Sequence, residues 1–357
     1  MNRNAATLKH YLLALCLLII PGRSLADLPA LKIGFITDLT GIGAFFGVQT
    51  QRGALLAQKE LREQGERIEI IFEDSAGKPP EGVTAAIRLL ESEKVDAVIC
   101  DTTPICTAIS PTVRAAAKPL IYHSPAVSIR ESNPLSFRNF LDYTASCAAI
   151  AENWKLRAIK EVGSLMPHIE FGEKCLDGLK QHYPDHSSFR YNPGDDLRTA
   201  VTLFKSKGIE AVAHVGYEGD FRSFFKHCRS QSYRPLHGLM DLMLTEVLLH
   251  DAGPDLDGAT ISGFQLLKPD FAMRLDQSFP ENRNDRLPVS ALGYNAVQAL
   301  FQTWGACAGK FTQDCLVSNL SRSPKNAQLG FKGFRTGTPE YPVVLKELRA
   351  GRLYPLF

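Results

Sequence analysis

Short apolar runs alternate with amphipathic stretches along most of the chain, and this alternation predicts a series of strands and helices. In the first part of the chain, the apolar runs predict strands at Lys32–Thr37, Ile68–Glu73, Val95–Cys100 and Pro119–Tyr122. The stretches between them have helical spacing at Val48–Gln64, Pro80–Glu93 and Pro104–Ala117. Repeated strand–helix units of this length form a parallel sheet with helices on both faces.

The alternation breaks at "SNPLSFRNF", Ser132–Phe140, which we interpret as a passage from one lobe to another. It then resumes with helices at Thr144–Leu156, Phe171–Gln181, Leu197–Lys207 and Asp220–Gln231 and near Leu244–His250. The intervening strands are predicted at Glu161–Leu165, Ser188–Tyr191, Ala211–Val215, Leu236–Gly238 and Ala259–Phe264. Two later elements are predicted: a long helix at Ser290–Ala306 and a final hairpin with its turn at Ala350 and Gly351. Both must pack on or pair with sheets that are formed earlier in the chain. We therefore expect the chain to pass between lobes more than once.

These elements predict an α/β protein with two doubly wound, Rossmann-like lobes joined by a multi-strand hinge. The first lobe is assigned residues 27–142 plus about 265–333, and the second 143–264 plus about 334–357. Open sheets of this kind bind ligands beyond the carboxyl ends of their strands. Two such lobes facing each other would enclose a ligand cleft.

Residues 1–26 have the pattern of a cleavable signal peptide. Arg3 and Lys9 precede the apolar run Tyr11–Ile20, and "SLA" at Ser24–Ala26 has the small, spaced residues of a signal-peptidase site. The run is short for a membrane span, which needs roughly 20 residues. We expect cleavage after Ala26 and a periplasmic protein, with an uncleaved anchor as the alternative.

Composition and motifs exclude several classes of function. Loss of the leader changes the formal charge from +2 to −1, and no Lys/Arg cluster interleaves with aromatic residues, so no nucleic-acid partner is expected. No GxSxG, HExxH or GxxxxGK[ST] motif occurs. The loop "TGIGAFFG", Thr40–Gly47, is one residue longer than the dinucleotide-binding fingerprint. Neither catalytic residues, nor a metal site, nor a cofactor is therefore expected.

The cysteines indicate a disulfide near the end of the chain. Of eight cysteines, Cys16 lies in the leader, and an exported protein can keep the others as disulfides. Cys307 and Cys315 bracket the short polar loop "AGKFTQD" and are the candidate pair, although two small buried thiols remain the alternative. The odd number left after cleavage requires at least one free thiol.

The stretch "ICDTTPICTAISP", Ile99–Pro111, predicts an anion site. Pro104 suits the first position of a helix, so Thr103 is the predicted N-cap. A helix that starts at the carboxyl end of a strand offers unpaired amides and a partial positive charge. Together these can hold an anion such as a carboxylate.

Several stretches, taken in order, resemble the substrate-binding proteins of branched-chain amino-acid type ABC transporters, which have the periplasmic-binding-protein type I fold. The resemblance is carried by "LKIGFITDLTGIGAFFGVQTQRGALLAQKEL", "IIFEDSAGKPPEGVTAAIRLL", "VDAVICDTT" and "PLIYHSPAVS" in the first lobe. It is looser in "FGEKCLDGLK", "GIEAVAHVGYEGDFRSFFKHCRSQSY" and "GATISGF". It implies a non-enzymatic, monomeric solute-binding protein that captures an amino acid or related carboxylate and delivers it to a membrane ABC permease.

The resemblance also implies aromatic walls for the ligand. Phe46, before the last glycine of the first loop, would line the pocket, and the glycines around it would let Phe45 and Phe46 protrude. Phe171 in "EFGE" and Tyr217 in "VGYEGD" would form walls from the second lobe. Ordinary packing is the alternative for each of these side chains.

Polar ligand contacts are implied at two first-lobe segments. Thr102 and Thr103 would give hydroxyl and amide groups to the ligand carboxylate, or would only cap a helix. Ala126 and Ser128 stand where the family uses a carbonyl and a hydroxyl, and Ser124 is adjacent. For the two serines, a solvated loop is the alternative.

Asp241 in "GLMDLM" would be the acidic partner of a ligand ammonium, with an ordinary surface acid as the alternative. His123 stands beside the expected pocket, and we interpret it as a histidine satisfied by its own loop, since no acid or nucleophile adjoins it.

Two other functions stay open. A protein of the same fold could sense its ligand and signal to a receptor or kinase. A secreted α/β enzyme would need a nucleophile, base or metal set, which the sequence does not show.

Overall fold

The structure, a computed structural model, describes residues 28–41, 43–280, 288–335, 337–339 and 341–356. The predicted signal peptide and its cleavage site lie outside the described residues. Two open sheets, each packed against helices, form two lobes. The predicted fold class is confirmed.

The first lobe contains a sheet of five parallel strands. These are β1 (Leu31–Thr37), β2 (Ile68–Asp74), β3 (Ala97–Asp101), β4 (Leu120–His123) and β5 (Ser136–Arg138), in the order β2-β1-β3-β4-β5. In the middle of the sheet, Phe35 of β1 lies between Phe72 of β2 and Ile99 of β3. Every residue of β3 is buried, as expected for a central strand covered on both faces.

Helices α1 (Ala44–Glu63), α2 (Pro79–Ile87), α3 (Thr103–Ala115) and α4 (Ser128–Ser132) connect these strands. A π-helical turn, Arg88–Ser92, prolongs α2. Helix α1 begins at Ala44, earlier than predicted, so Phe45 and Phe46 lie in its first turn and do not protrude from a loop. The segment predicted as a passage between lobes contributes β5 before the chain crosses.

The second lobe contains a sheet of seven strands. Its first part comprises α5 (Tyr143–Leu156), β6 (Val162–Pro167), α6 (Glu170–Lys180), β7 (Ser187–Tyr191), α7 (Arg198–Ser206), β8 (Ala211–His214), α8 (Glu218–Ser230), β9 (Leu236–Met240), α9 (Glu246–Ala252) and β10 (Thr260–Gly263). After β10 the chain leaves this sheet and forms α10 (Pro269–Ser278), α11 (Val289–Ala306), α12 (Gln313–Leu320) and a separate two-stranded sheet of β11 (Phe334–Arg335) and β12 (Thr338–Pro339). It then returns to the seven-stranded sheet with β13 (Val344–Arg349) and β14 (Arg352–Pro355). The sheet order is β14-β13-β10-β9-β8-β6-β7.

The C-terminal hairpin is confirmed. Strand β13 is antiparallel to both β10 and β14, and the turn at Ala350 and Gly351 has φ angles of 46° and 74°. These positive angles match the turns that favour tight hairpins.

Helix α11 returns the chain to the first lobe, where it packs along α1. A Cβ on Gly53 would lie 1.6 Å from the carbonyl oxygen of Ser290, and one on Gly293 would lie 2.0 Å from that of Thr50. Only glycines allow the two helices to approach this closely. The residue boundaries given above for the two lobes stay a prediction.

The chain crosses between the lobes after β5, after β10 and before β13. Tyr341 on the last crossing donates a hydrogen bond to Oδ1 of Asn139 on the first, at 2.7 Å. Its ring also packs against Phe264 on the second, with ring centroids 4.9 Å apart. The three crossings therefore meet at Tyr341.

Three disulfides join Cys100 to Cys106, Cys147 to Cys175 and Cys307 to Cys315. The sequence singled out only the last of these pairs. Cys228 is a buried free thiol, and burial raises its pKa to about 12.

Candidate functional site

A cavity of about 80 Å³ lies between the lobes, beyond the carboxyl ends of their parallel strands. The first lobe and the first crossing line it with Gly43, Phe45, Phe46, Thr102, Thr103, His123, Pro125 and Phe140. The second lobe lines it with Tyr143, Phe171, Gly216, Tyr217, Leu242 and Met243. A chamber of about 520 Å³ adjoins the cavity on the outside and shares Phe45 and Tyr217 with it. The walls are mostly apolar and aromatic.

Aromatic rings run continuously from one lobe to the other along the cavity. Successive ring centroids are 6.0 Å apart from Phe46 to Phe140, 5.8 Å to Tyr143, 5.9 Å to Phe171 and 6.1 Å to Tyr217. The structure thus brings together the three aromatic residues that the resemblance implied. Phe140 and Tyr143 were missed, although the segment interpreted as a crossing had to pass the cleft.

The polar end of the cavity is the start of α3. The helix begins at Thr103, so Thr102, and not Thr103, takes the N-cap position, and its side chain makes no capping bond. Thr102 has φ 64° and ψ 142°, a backbone conformation that β-branched residues rarely adopt. Such strain persists only where the surrounding structure imposes it, and it clusters at binding sites.

Three groups form a hydrogen-bonded row beside the start of α3. The amide of Ala126 donates to Oγ of Ser124 at 3.1 Å, and Oγ of Ser124 lies 2.7 Å from Oγ1 of Thr103. Because Ser124 accepts from the amide, its own proton can go to Thr103. The Thr103 hydroxyl can then donate to a ligand in the cavity. Ser124 and Ala126 are buried behind the wall and support Thr103 from there.

Ser128 has a different role from the one implied by the resemblance. It is exposed, lies outside the cavity lining and donates through Oγ to Oε2 of Glu170 at 2.8 Å. The amide of Val127 donates to the other oxygen of that carboxylate at 2.9 Å. Since Glu170 opens α6 of the second lobe, these bonds connect the lobes at the edge of the cleft.

Asp241 also lies outside the cavity lining. Its carboxylate is 2.6 Å from Nζ of Lys346 in β13, and both side chains are almost completely buried. Burial raises the pKa of the Asp241 carboxyl, and the Lys346 ammonium opposes that increase. Its expected role as the partner of a ligand ammonium is therefore corrected to that of an internal ion pair.

His123, the last residue of β4, has partners on both sides of its ring, but they come from β3 and the first crossing and not from its own loop. Nδ1 lies 2.6 Å from Oδ1 of Asp101, and the Asn139 amide nitrogen lies 3.0 Å from Nε2. Asn139 in turn accepts from Tyr341, so a buried row of hydrogen bonds connects the cavity wall to the meeting point of the crossings. The histidine holds this row together and is not a free base.

The two tyrosines of the second-lobe wall are neutral hydrogen-bonding groups. Burial raises the pKa of the hydroxyls of Tyr143 and Tyr217. Both hydroxyls stay protonated near neutral pH, so neither repels an anion.

Within the ranges given above, no three His, Cys, Asp or Glu side chains gather as metal ligands do. No helix among the same residues is long and apolar enough to cross a membrane.

Comparison with known proteins places this geometry in a family. Residues 30–352 match the family described as periplasmic binding protein. Leu/Ile/Val-binding protein homolog 3 of Brucella melitensis is 25% identical over 213 residues, covering 53% of this chain and 55% of that protein. The match thus spans about half the length of the curated relative.

Solved structures agree in fold. A leucine-binding protein of Thermotoga maritima is 18% identical with a TM-score of 0.79, over 92% of this chain and 98% of that one. A solute-binding protein of R. palustris in complex with 4-hydroxybenzoate is 18% identical with a TM-score of 0.79, over 92% of this chain and 96% of that one. A branched-chain amino-acid binding protein of Streptococcus pneumoniae in complex with isoleucine is 17% identical with a TM-score of 0.79, over 91% of this chain and 98% of that one. The predicted resemblance is confirmed, and the chain belongs to the periplasmic binding protein family.

Proposed function

We propose that this protein is an exported solute-binding protein, which captures a small carboxylate between its lobes and delivers it to a membrane ABC permease. The family name implies a periplasmic location, reached after cleavage behind Ala26. Amino acids and aromatic acids are both candidate ligands, because similar structures hold isoleucine in one case and 4-hydroxybenzoate in another. The ligand leaves chemically unchanged, since the role involves no bond breaking.

One observation carries this proposal: a single cavity between the lobes has a polar end, and aromatic side chains form the walls opposite that end. The start of α3 offers unpaired amides and the Thr103 hydroxyl for a carboxylate. Phe46, Phe171 and Tyr217 then cover the body of the ligand. A carboxylate attached to an apolar or aromatic body matches both halves of the cavity.

Binding is coupled to movement of the lobes. The cavity of about 80 Å³ is smaller than the roughly 150 Å³ of an apolar cavity that accepts benzene. The lobes must therefore separate about the three crossings to admit a ligand, and the bound ligand then favours closure. A ligand shifts this equilibrium only by the difference in its affinity for the open and closed forms.

Calorimetry tests the proposal directly. The mature chain, starting at Asp27, is titrated with amino acids and with aromatic and aliphatic carboxylates, and the same samples are measured by small-angle scattering. We expect saturable heat with at least one compound, together with a smaller radius of gyration. Absence of heat across the whole panel would contradict the proposal, and so would chemical conversion of a bound compound.

A further inference from the structure

A buried ion pair lies directly behind the second-lobe wall of the cavity. Asp241 begins the short 3₁₀ turn Asp241–Met243, of which Leu242 and Met243 line the cavity. The Lys346 ammonium is 2.6 Å from its carboxylate and also donates to the carbonyl oxygen of Phe264. The Asp241 charge also reaches the hydroxyl of Tyr143, a wall residue. The pair therefore belongs to the back of the binding site.

The sheet is built around this pair. A Cβ on Gly263 of β10 would lie 2.1 Å from Cγ of Asp241, so the backbone of β10 leaves space for the carboxylate. Lys346 reaches it from the neighbouring strand β13, which pairs with β10. Because both side chains are at most 2% exposed, neither charge can be satisfied by bulk water. Each depends on the other.

The cavity itself presents no acid to a ligand: no Asp or Glu occurs among the residues described as lining it. The carboxylates just behind or beside the wall already have partners. Asp38, which lies against Gly43, accepts from the Ser75 hydroxyl and the amide of Gly77. Asp101 contacts His123, Glu170 contacts Ser128, and Asp220 accepts from Tyr191 and the amide of Gly194. Inside the cavity, a ligand ammonium would lose its hydration and meet mostly aromatic and aliphatic side chains, because the acids Asp195, Glu218 and Asp220 line the adjoining chamber and not the cavity.

We propose that Lys346 is a specificity-determining residue, whose ammonium group neutralises Asp241 and so excludes ligands that carry an ammonium beside their carboxylate. The inference rests on the proposed function and narrows its ligand class to carboxylates without an α-ammonium. Burying an ammonium without a carboxylate partner is strongly unfavourable, and aromatic faces compensate only in part. Lys346 acts through Asp241 and need not touch the ligand.

Matched pairs of ligands test the inference on the native protein. Each pair shares one body and differs in the ammonium: 3-phenylpropanoate and phenylalanine, 4-methylpentanoate and leucine, phenylacetate and phenylglycine. We expect the compound without nitrogen to bind at least about tenfold more tightly in the pair whose body fits. Equal or tighter binding of the amino acid would overturn the inference and leave the proposed function standing. If neither member of any pair binds, and no compound of the wider carboxylate panel binds either, both this inference and the proposed function are wrong.

The variant Lys346→Met tests the residue itself. It removes the cation that neutralises Asp241, so a ligand ammonium can take that place as the partner of the Asp241 carboxyl group. The preference for the compound without nitrogen should then fall at least about tenfold, whereas the double variant Asp241→Asn/Lys346→Met should recover it. Arg349→Met, in the exposed part of the same hairpin, is the matched control and should keep the native preference. A folded Lys346→Met protein with unchanged preference would overturn the proposal. If the Lys346→Met protein does not fold, the measurements with the ligand pairs on the native protein decide whether the proposal stands.

Discussion

The two lobes give the cavity opposite kinds of surface. The first lobe presents the start of α3 and the Thr103 hydroxyl, with Ser124 behind it. The second presents Phe171, Leu242 and Met243, and its buried charges Asp241 and Lys346 pair with each other behind this wall. We infer that the first lobe recognises the charged end of a ligand, while the second adds affinity by covering apolar surface as it closes.

The largest expected effect concerns the polar groups inside the second lobe. His214 and His237 lie in its core, with Nε2 and Nδ1 2.9 Å apart and the rings of Phe224 and Phe225 against them. Burial lowers the pKa of His214 well below 6.5 and that of His237 to about 3. Below pH 6.5 the unfolded chain takes up protons that the folded chain does not. The free energy of unfolding should thus fall on the order of 1 kcal/mol per pH unit for each histidine, and the effect is absent above pH 6.5.

Urea unfolding at pH 7.5 and pH 5 measures this loss. His237→Leu should reduce the slope of stability against pH, and His250→Gln, at a histidine whose side chain is 86% exposed, should leave it unchanged. Identical slopes in all three proteins would show that the histidine pair does not set the acid sensitivity.

The next effect tests the first-lobe wall. Thr103→Val removes the hydroxyl that can donate to the ligand carboxylate and nearly keeps the side-chain volume. Hydrogen bonds to charged groups contribute about 1.5–3 kcal/mol, so affinity measured by calorimetry should fall about 10- to 100-fold. Thr107→Val, at an exposed position of the same helix, should bind like the native chain. If the Thr103 variant binds the ligand as tightly as the native chain, the first-lobe wall does not recognise the charged end of the ligand through this hydroxyl.

A smaller effect is expected at the apolar wall. Phe171→Leu keeps an apolar side chain but loses the ring contacts with Tyr143 and Tyr217. Aromatic pairs contribute about 0.5–1.5 kcal/mol, which corresponds to about 2- to 10-fold weaker binding. Phe189→Leu, on the edge strand β7, serves as the control and should not alter binding. A loss as large as that of the Thr103 variant would contradict the division between the lobes.

The smallest effect concerns the contact that joins the lobes outside the cavity. Glu170→Gln keeps one acceptor oxygen, which can serve the amide of Val127, but replaces the oxygen that accepts from Ser128 with an NH2 group and removes the charge. Charge-assisted bonds are roughly twice as strong as neutral ones. We expect ligand binding to weaken about 2- to 5-fold, with a larger radius of gyration in the free protein. Glu173→Gln, which affects only the exposed ion pair with Arg190, is the control. An unchanged radius would show that this contact does not favour closure.

Much of the architecture could be predicted because the spacing of apolar residues along short stretches of the sequence indicates which stretches form strands and which form helices. The central strand β3 contains four consecutive apolar residues, Ala97–Cys100, and the spacing of the helices between strands admits few arrangements other than parallel sheets. The start of α1 was misplaced because "GAFFG" contains two glycines, which suggest a loop, although Ala44 already begins the helix.

The site was predicted less completely, for physical reasons. The positive φ of Thr102 has no sequence signature, since threonine rarely adopts it, so the N-cap was placed one residue late. The resemblance assigned Asp241 to a ligand ammonium, and the sequence could not show that its partner is Lys346, 105 residues further along the chain. Pairings at that distance depend on which strands become neighbours, and periodicity does not determine this.

The threading of the chain through both lobes has a consequence for biosynthesis. The first core needs α11, which is made after most of the second lobe, and the second sheet needs β13, where Glu347 pairs with Thr260 close to the end of the chain. Contacts between such distant segments form slowly, because a long loop must close first. A nascent chain therefore cannot complete the core of either lobe until translation is nearly over.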